Sequence, residues 1–160
     1  MSKHRATAVS WPTKPMPDAY KELLLDGRYT REEYVSISRG FVPKSPADKW
    51  FIYLEDEWLN FHRSASGSCI FQLQIVPDGE GYAANVLRAN QDPGQYHSLS
   101  DEYDVALLSY LVDAVLLGRF APFPQPEQFS EEDHQRHQQH VMGQDSRDGG
   151  LSLRVVNGNR

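Results

Sequence analysis

The chain has 160 residues, of which 39% are hydrophobic and 24% charged, with three Trp, eight Tyr and seven Phe. That is enough for one packed domain and too little for two. The formal charge of -6 argues against a nucleic-acid surface, which usually carries a basic excess, and the single cysteine, Cys69, excludes an intramolecular disulfide and a multi-cysteine zinc site. No apolar run approaches the roughly 20 residues of a membrane-spanning helix, and no apolar signal region opens the chain, so a soluble, cytoplasmic protein with no membrane partner is expected.

Residues 1–16 contain Pro12 and Pro15, a basic start and no periodic apolar pattern, which predicts a flexible N-terminal arm outside the fold. The stretch from Pro17 to Gly27 has proline at a plausible first helical position and glycine just past the end, the punctuation of a short helix burying Tyr20, Leu23 and Leu24. Thr30 and Glu33 have the spacing of a capping box, so a second short helix runs through Arg39 to Gly40, with Tyr34, Ile37 and Phe41 on one stripe.

From Lys49 the period becomes twofold. Trp50, Ile52 and Leu54 alternate with Phe51 and Tyr53; Glu55, Asp56 and Glu57 form a turn, and Trp58 to Arg63 return as the antiparallel partner. Phe71, Leu73 and Ile75 alternate with Gln72 and Gln74, Pro77 to Gly79 turn the chain, and Gly81 to Arg88 make a fourth, weaker strand. Ser100 or Asp101 then caps a long helix whose Val105, Leu108, Leu111, Val112 and Val115 form an apolar stripe ending at Gly118. Phe120 to Pro126 read as an extended strap, and residues 127–160 as a polar tail, partly helical or disordered. The expected fold class is α+β: a four-stranded antiparallel meander packed against one long helix, with two short N-terminal helices, in a single domain over residues 17–126.

The run Phe61, His62, Arg63, Ser64, Ala65, Ser66, Gly67, Ser68, Cys69, Ile70 holds the most distinctive chemistry. A guanidinium fork, hydroxyls and a glycine that lets backbone N–H groups approach are what an anion needs, so Arg63, Ser64, Ser66 and Gly67 are ligand-binding candidates, joined by Arg88 if neighbouring strands place the two arginines on one face. The plainer alternative is a hairpin connection, since Ser and Gly are turn residues and no phosphate-loop or dinucleotide glycine pattern is present. His62 is the candidate base for Ser64 or Cys69, but no orienting carboxylate lies nearby in sequence, with Asp56 and Glu57 at the other end of the hairpin. No catalytic constellation is therefore assigned.

His134, His137 and His140 recur every three residues after Glu131, Glu132 and Asp133, a spacing at which His134 and His137 could share a metal on one helix face. A solvated polar helix explains them without a ligand. Asp101, Glu102 and Asp104 complement a helix dipole and require no acid–base chemistry. Trp11, Trp50 and Trp58 suit either a binding groove or the core of a small sheet.

The tryptophan-rich hairpin with Phe61, His62, Arg63, Ser64, Gly67 and Cys69 resembles a signature of small bacterial domains, some found in contexts of ADP-ribose metabolism. The resemblance spans Trp50 to Ile70, about an eighth of the chain, and departs at Ala65, where a second aromatic residue is expected. It implies a nucleotide-like ligand. The sequence thus reads as a small cytoplasmic binding or interaction module with no cofactor, whose open sheet face and Ser64 to Ser68 loop meet a protein partner. The alternative is an enzyme or sensor for an ADP-ribose-like phosphorylated ligand held by the Arg63 to Ser68 loop.

Overall fold

The stretch from Pro17 to Gly27, expected as a short helix, instead enters a strand at Tyr20 in the computed structural model, which describes residues 5–124. Strand β1 (Tyr20–Tyr29) pairs antiparallel with the last strand of the sheet, Leu23 opposite Leu87 and Leu24 opposite Val86. Its buried positions follow a period of two: Leu25, Gly27 and Tyr29 point inward, whereas Leu24 is 60% exposed. The Lys, Glu and Leu residues of this stretch favour helix locally, but a long-range partner that buries alternate side chains outweighs a propensity worth tenths of a kcal/mol per residue.

The remaining elements are α1 (Arg31–Arg39), β2 (Trp50–Glu55), β3 (Trp58–Arg63), β4 (Cys69–Asp78), β5 (Gly81–Asn90) and α2 (Asp101–Tyr110), which continues through wider turns at Leu111–Leu116. The sheet has five antiparallel strands in the order β1-β5-β4-β3-β2. The expected four-stranded meander with two N-terminal helices is therefore corrected: only one helix precedes β2, and a fifth strand closes against β5. Both bonds of the Thr30/Glu33 capping box are made, at 2.7 and 3.1 Å. Gly40 ends α1 with φ 68°, and a Cβ there would run into the Ile52 carbonyl. The position admits only glycine because Phe41 bridges directly to Ile52.

Cross-strand register sorts the sheet into two faces. On the inner face, Leu54, Leu59, Leu73, Leu87 and Leu23 form one row, and Ile52, Phe61, Phe71 and Ala89 the next. They share a core with Val105, Leu107, Leu108, Leu111 and Val112 of α2, which seals this face. The end of α2 is underwound: the Leu117 N–H bonds the Val112 carbonyl five residues back, and the Arg119 N–H that of Asp113. Arg119 then pairs with Glu33 at the start of α1, and Phe123 lies edge-on to Tyr110.

Residues 5–16 are held against the outer face, contrary to the expected free arm. Ala6 is 2% exposed and packs with Ala8, Trp11 and Val42 on Phe51 and Tyr53. Its backbone needs no periodic pattern, because its hydrogen bonds go elsewhere: Ala6 to the Arg39 carbonyl, Lys14 to that of Gly67, and the Trp11 indole to that of Ser64. Among the described residues, no helix is long and apolar enough to cross a membrane. The expected polar tail, with His134, His137 and His140, lies outside them.

Candidate binding face and the Arg63 to Ser68 turn

The turn between β3 and β4 folds back on itself. Arg63 N–H donates to the Ser68 carbonyl and Gly67 N–H to that of Arg63, at 2.9 and 2.8 Å. Ser64 donates its N–H to Lys49 and its hydroxyl to Asp48, both at 2.9 Å, while the Ser66 hydroxyl accepts from Ser68 N–H. Gly67 adopts φ 78°, and a Cβ would sit 2.9 Å from the Pro12 carbonyl. These donors are directed into the chain itself, and residues 12–14 lie over the glycine.

His62 is 3% exposed, with Nδ1 2.9 Å from the Gly67 carbonyl. A carbonyl only accepts, so Nδ1 carries the proton and Nε2 a bare lone pair, which has no hydrogen-bond partner. Burial holds the ring below the ordinary imidazole range, opposed by the Gly67 bond. Cys69, opposite His62 in the sheet, is buried, and burial pushes its thiol up to about 12. Such a thiol is a poor nucleophile at neutral pH. Asp56 and Glu57 stand at the far end of β3 from His62, in the β2–β3 turn.

Arg63 and Arg88 lie on opposite faces and do not converge. Arg63 is opposite Trp50, with its guanidinium 5.0 Å from the centre of that buried indole. Arg88 belongs to an outer row of Tyr53, Asn60, Gln72, Arg88 and Glu22 that crosses all five strands. Asn60 and Gln72 are hydrogen-bonded at 2.9 Å, and Arg88 Nε donates to Glu22 at 3.1 Å. The Arg88 guanidinium is 4.2 Å from the Trp58 ring centre and 5.3 Å from that of Tyr20.

The neighbouring outer row holds Glu55, Trp58, Gln74, Val86 and Leu24. Leu24, Tyr20, Trp58 and Val86 thus form an apolar and aromatic group around Arg88, with Glu22, Glu55 and Glu57 at its margin. Sequence reasoning missed Tyr20 and Leu24 as members, because helical punctuation masked the alternation of β1. Of the three tryptophans, Trp50 belongs to the core, Trp11 to the N-terminal cover, and Trp58 to this outer group.

A buried polar cluster also escaped sequence reasoning. Asp104, fully buried, accepts the hydroxyls of Tyr96 and Ser98 at 2.6 Å each and pairs with Lys21 at 2.8 Å. Lys21 also reaches Asp101 at 2.6 Å, and these two carboxylates raise its pKa against the opposing effect of burial. The arrangement ties β1 to the start of α2. An open cleft of about 690 Å³ lies between Arg28–Glu33 and the β4–β5 turn, where Arg28 pairs with Asp78, and Glu33 with Thr30 and Arg119. Among the described residues, no group of three or more His, Cys, Asp or Glu is placed to hold a metal.

No protein-family model matches the chain, and neither a curated protein nor a solved structure matches it. The fold and the two faces define it only as an α+β protein with a five-stranded antiparallel sheet, one side sealed by helix and the other partly open.

Proposed function

We propose that the protein is a non-catalytic binding module that docks a protein partner on the outer face of its sheet. The observation that carries this reading is the Trp58–Arg88–Tyr20 stack beside the 60% exposed Leu24. Trp, Tyr and Arg supply most of the energy of protein interfaces, because large rigid groups bury area at little entropic cost. Arg88 is already neutralised by Glu22, so Glu55 and Glu57 leave the margin acidic, in keeping with the net charge of -6. The complementary partner is a protein surface with an apolar anchor and a basic rim.

A photo-reactive side chain installed at Leu24 should capture a discrete protein in the cells from which the chain comes, and Trp58→Ala in the same chain should abolish the adduct. The same group at Glu80, in the β4–β5 turn, should capture none of it. Equal adducts at both positions, or none at Leu24, would remove the reading.

A further inference from the structure

The Gly67 carbonyl accepts two hydrogen bonds, one from His62 Nδ1–H at 2.9 Å and one from Lys14 N–H at 2.8 Å. The same residues 5–16 that supply Lys14 also cover Phe51 and Tyr53, and those rings flank the His62 ring at 6.0 and 5.7 Å. The Nε2 lone pair is thus buried and unpartnered beside two rings on which the N-terminal segment packs. We infer that residues 5–16 are a proton-operated latch: protonation of His62 at Nε2 releases them and uncovers Phe51, Tyr53 and the His62 ring beside the outer row of the sheet.

The physical argument is desolvation. A second proton makes the ring a cation whose new N–H has no acceptor, and water reaches it only if the cover lifts. The ionisable side chains beside the ring are Tyr53 from β2 and Cys69 from β4, with Glu55 reaching Tyr53; Arg63 is on the other face over Trp50. Among the described residues, no charged group acts on the ring itself, and no carboxylate pairs with it to neutralise the imidazolium. The burial that depresses the ring's proton affinity acts in the same direction. With the covered state binding the proton less tightly than the open one, the latch is closed above the ordinary histidine pKa of about 6.5 and weakens as pH falls below it. The attachments are few: the Lys14 and Ala6 amides, the Trp11 indole bond to Ser64, and the Trp11–Phe51 stack at 6.4 Å.

Hydrogen exchange of the full chain at pH 7.5 and 5.5, corrected for the intrinsic chemical rate, tests this independently of any partner. The Lys14 and Ala6 amides should lose about tenfold in protection at the lower pH, the factor equivalent to one pKa unit, while Leu73 in the central strand β4 keeps its protection. In His62→Gln the pH dependence should vanish. Independently of how that variant folds, the wild-type His62 ring titration followed by NMR is compared with Trp11→Ala; loosening the cover should move its midpoint up toward the ordinary value, since coupling is reciprocal. Unchanged Lys14 protection once His62 has titrated, equal loss in His62→Gln, or an unmoved midpoint in Trp11→Ala would each overturn the inference.

Discussion

Lys21 on β1 and Asp104 on α2 meet at 2.8 Å, and their contact fixes where the helix begins relative to the edge of the sheet. Asp104 accepts from Lys21, Tyr96 and Ser98 together. Asp104→Ala takes the acceptor from the Tyr96 and Ser98 hydroxyls and leaves Lys21 only Asp101 and Ser98, and it should cost about 3–5 kcal/mol, the usual penalty for removing one partner of a buried ion pair. Asp104→Asn retains an acceptor and should cost less. Urea midpoints at constant m-value check both.

Gly40→Ala should destabilise by about 2–3 kcal/mol, because alanine is strained at φ 68° and its Cβ would collide with the Ile52 carbonyl. Gly79→Ala is the informative comparison. It has similar dihedral strain, φ 66°, but open space around the Cβ, so its loss should be smaller. Thermal unfolding of the two variants separates strain from collision.

Cys69 should resist alkylation at pH 8 in the folded protein and react at once after unfolding. Its thiol titrates near 12 when folded against about 9 in the open chain, so the unfolded state loses its proton first as pH rises. This group's contribution to stability is therefore full below pH 9 and declines between 9 and 12. Iodoacetamide labelling followed by mass spectrometry gives the rates. Fast labelling of the native protein at pH 8 would contradict the buried setting.

Millimolar ADP-ribose, ATP or inorganic phosphate should leave the melting temperature unchanged. The Ser64 N–H and hydroxyl, Gly67 N–H and Ser68 N–H are bonded within the chain, and Arg63 lies over Trp50. A rise that grows with ligand concentration as RT ln(1 + [L]/Kd) would instead show that the turn opens to bind.

Leu24→Lys should leave stability within about 1 kcal/mol, because the side chain is 60% exposed, and yet weaken partner capture by a photo-reactive side chain placed at Glu55, opposite Trp58. It places a positive charge where a basic partner is expected. Circular dichroism melts and the cross-linking yield give the two readouts.

What could be read from the sequence was what local chemistry determines. The Thr30/Glu33 box, the Trp50–Arg63 hairpin and the apolar stripe from Val105 to Val112 each require only near neighbours. β1 departs from the helical expectation because its partner, β5, lies some sixty residues away, while Pro17 and Gly27 carry the punctuation of a helix. The same error hid Tyr20 and Leu24 from the outer face. His62, Arg63, Ser64, Ser66 and Gly67 stand out as chemistry, and the sequence could not reveal that residues 12–14 lie over Gly67 or that Arg63 turns to the other face over Trp50. The separation of Arg63 from Arg88 follows from strand parity. With twofold alternation and a bulge between Phe61 and His62, facing is settled only once register is known.

The underwound end of α2 sets the phase of everything after it. A π-type turn accommodates one residue more than a regular one, so the backbone beyond Leu116 is rotated by roughly a quarter turn or more relative to an unbroken α-helix. That offset carries Arg119 round to Glu33 and sends Phe123 back onto Tyr110. A single-codon deletion within Leu111–Leu116 would thus keep the helix and its hydrophobic composition while misdirecting the clasp between the two helices.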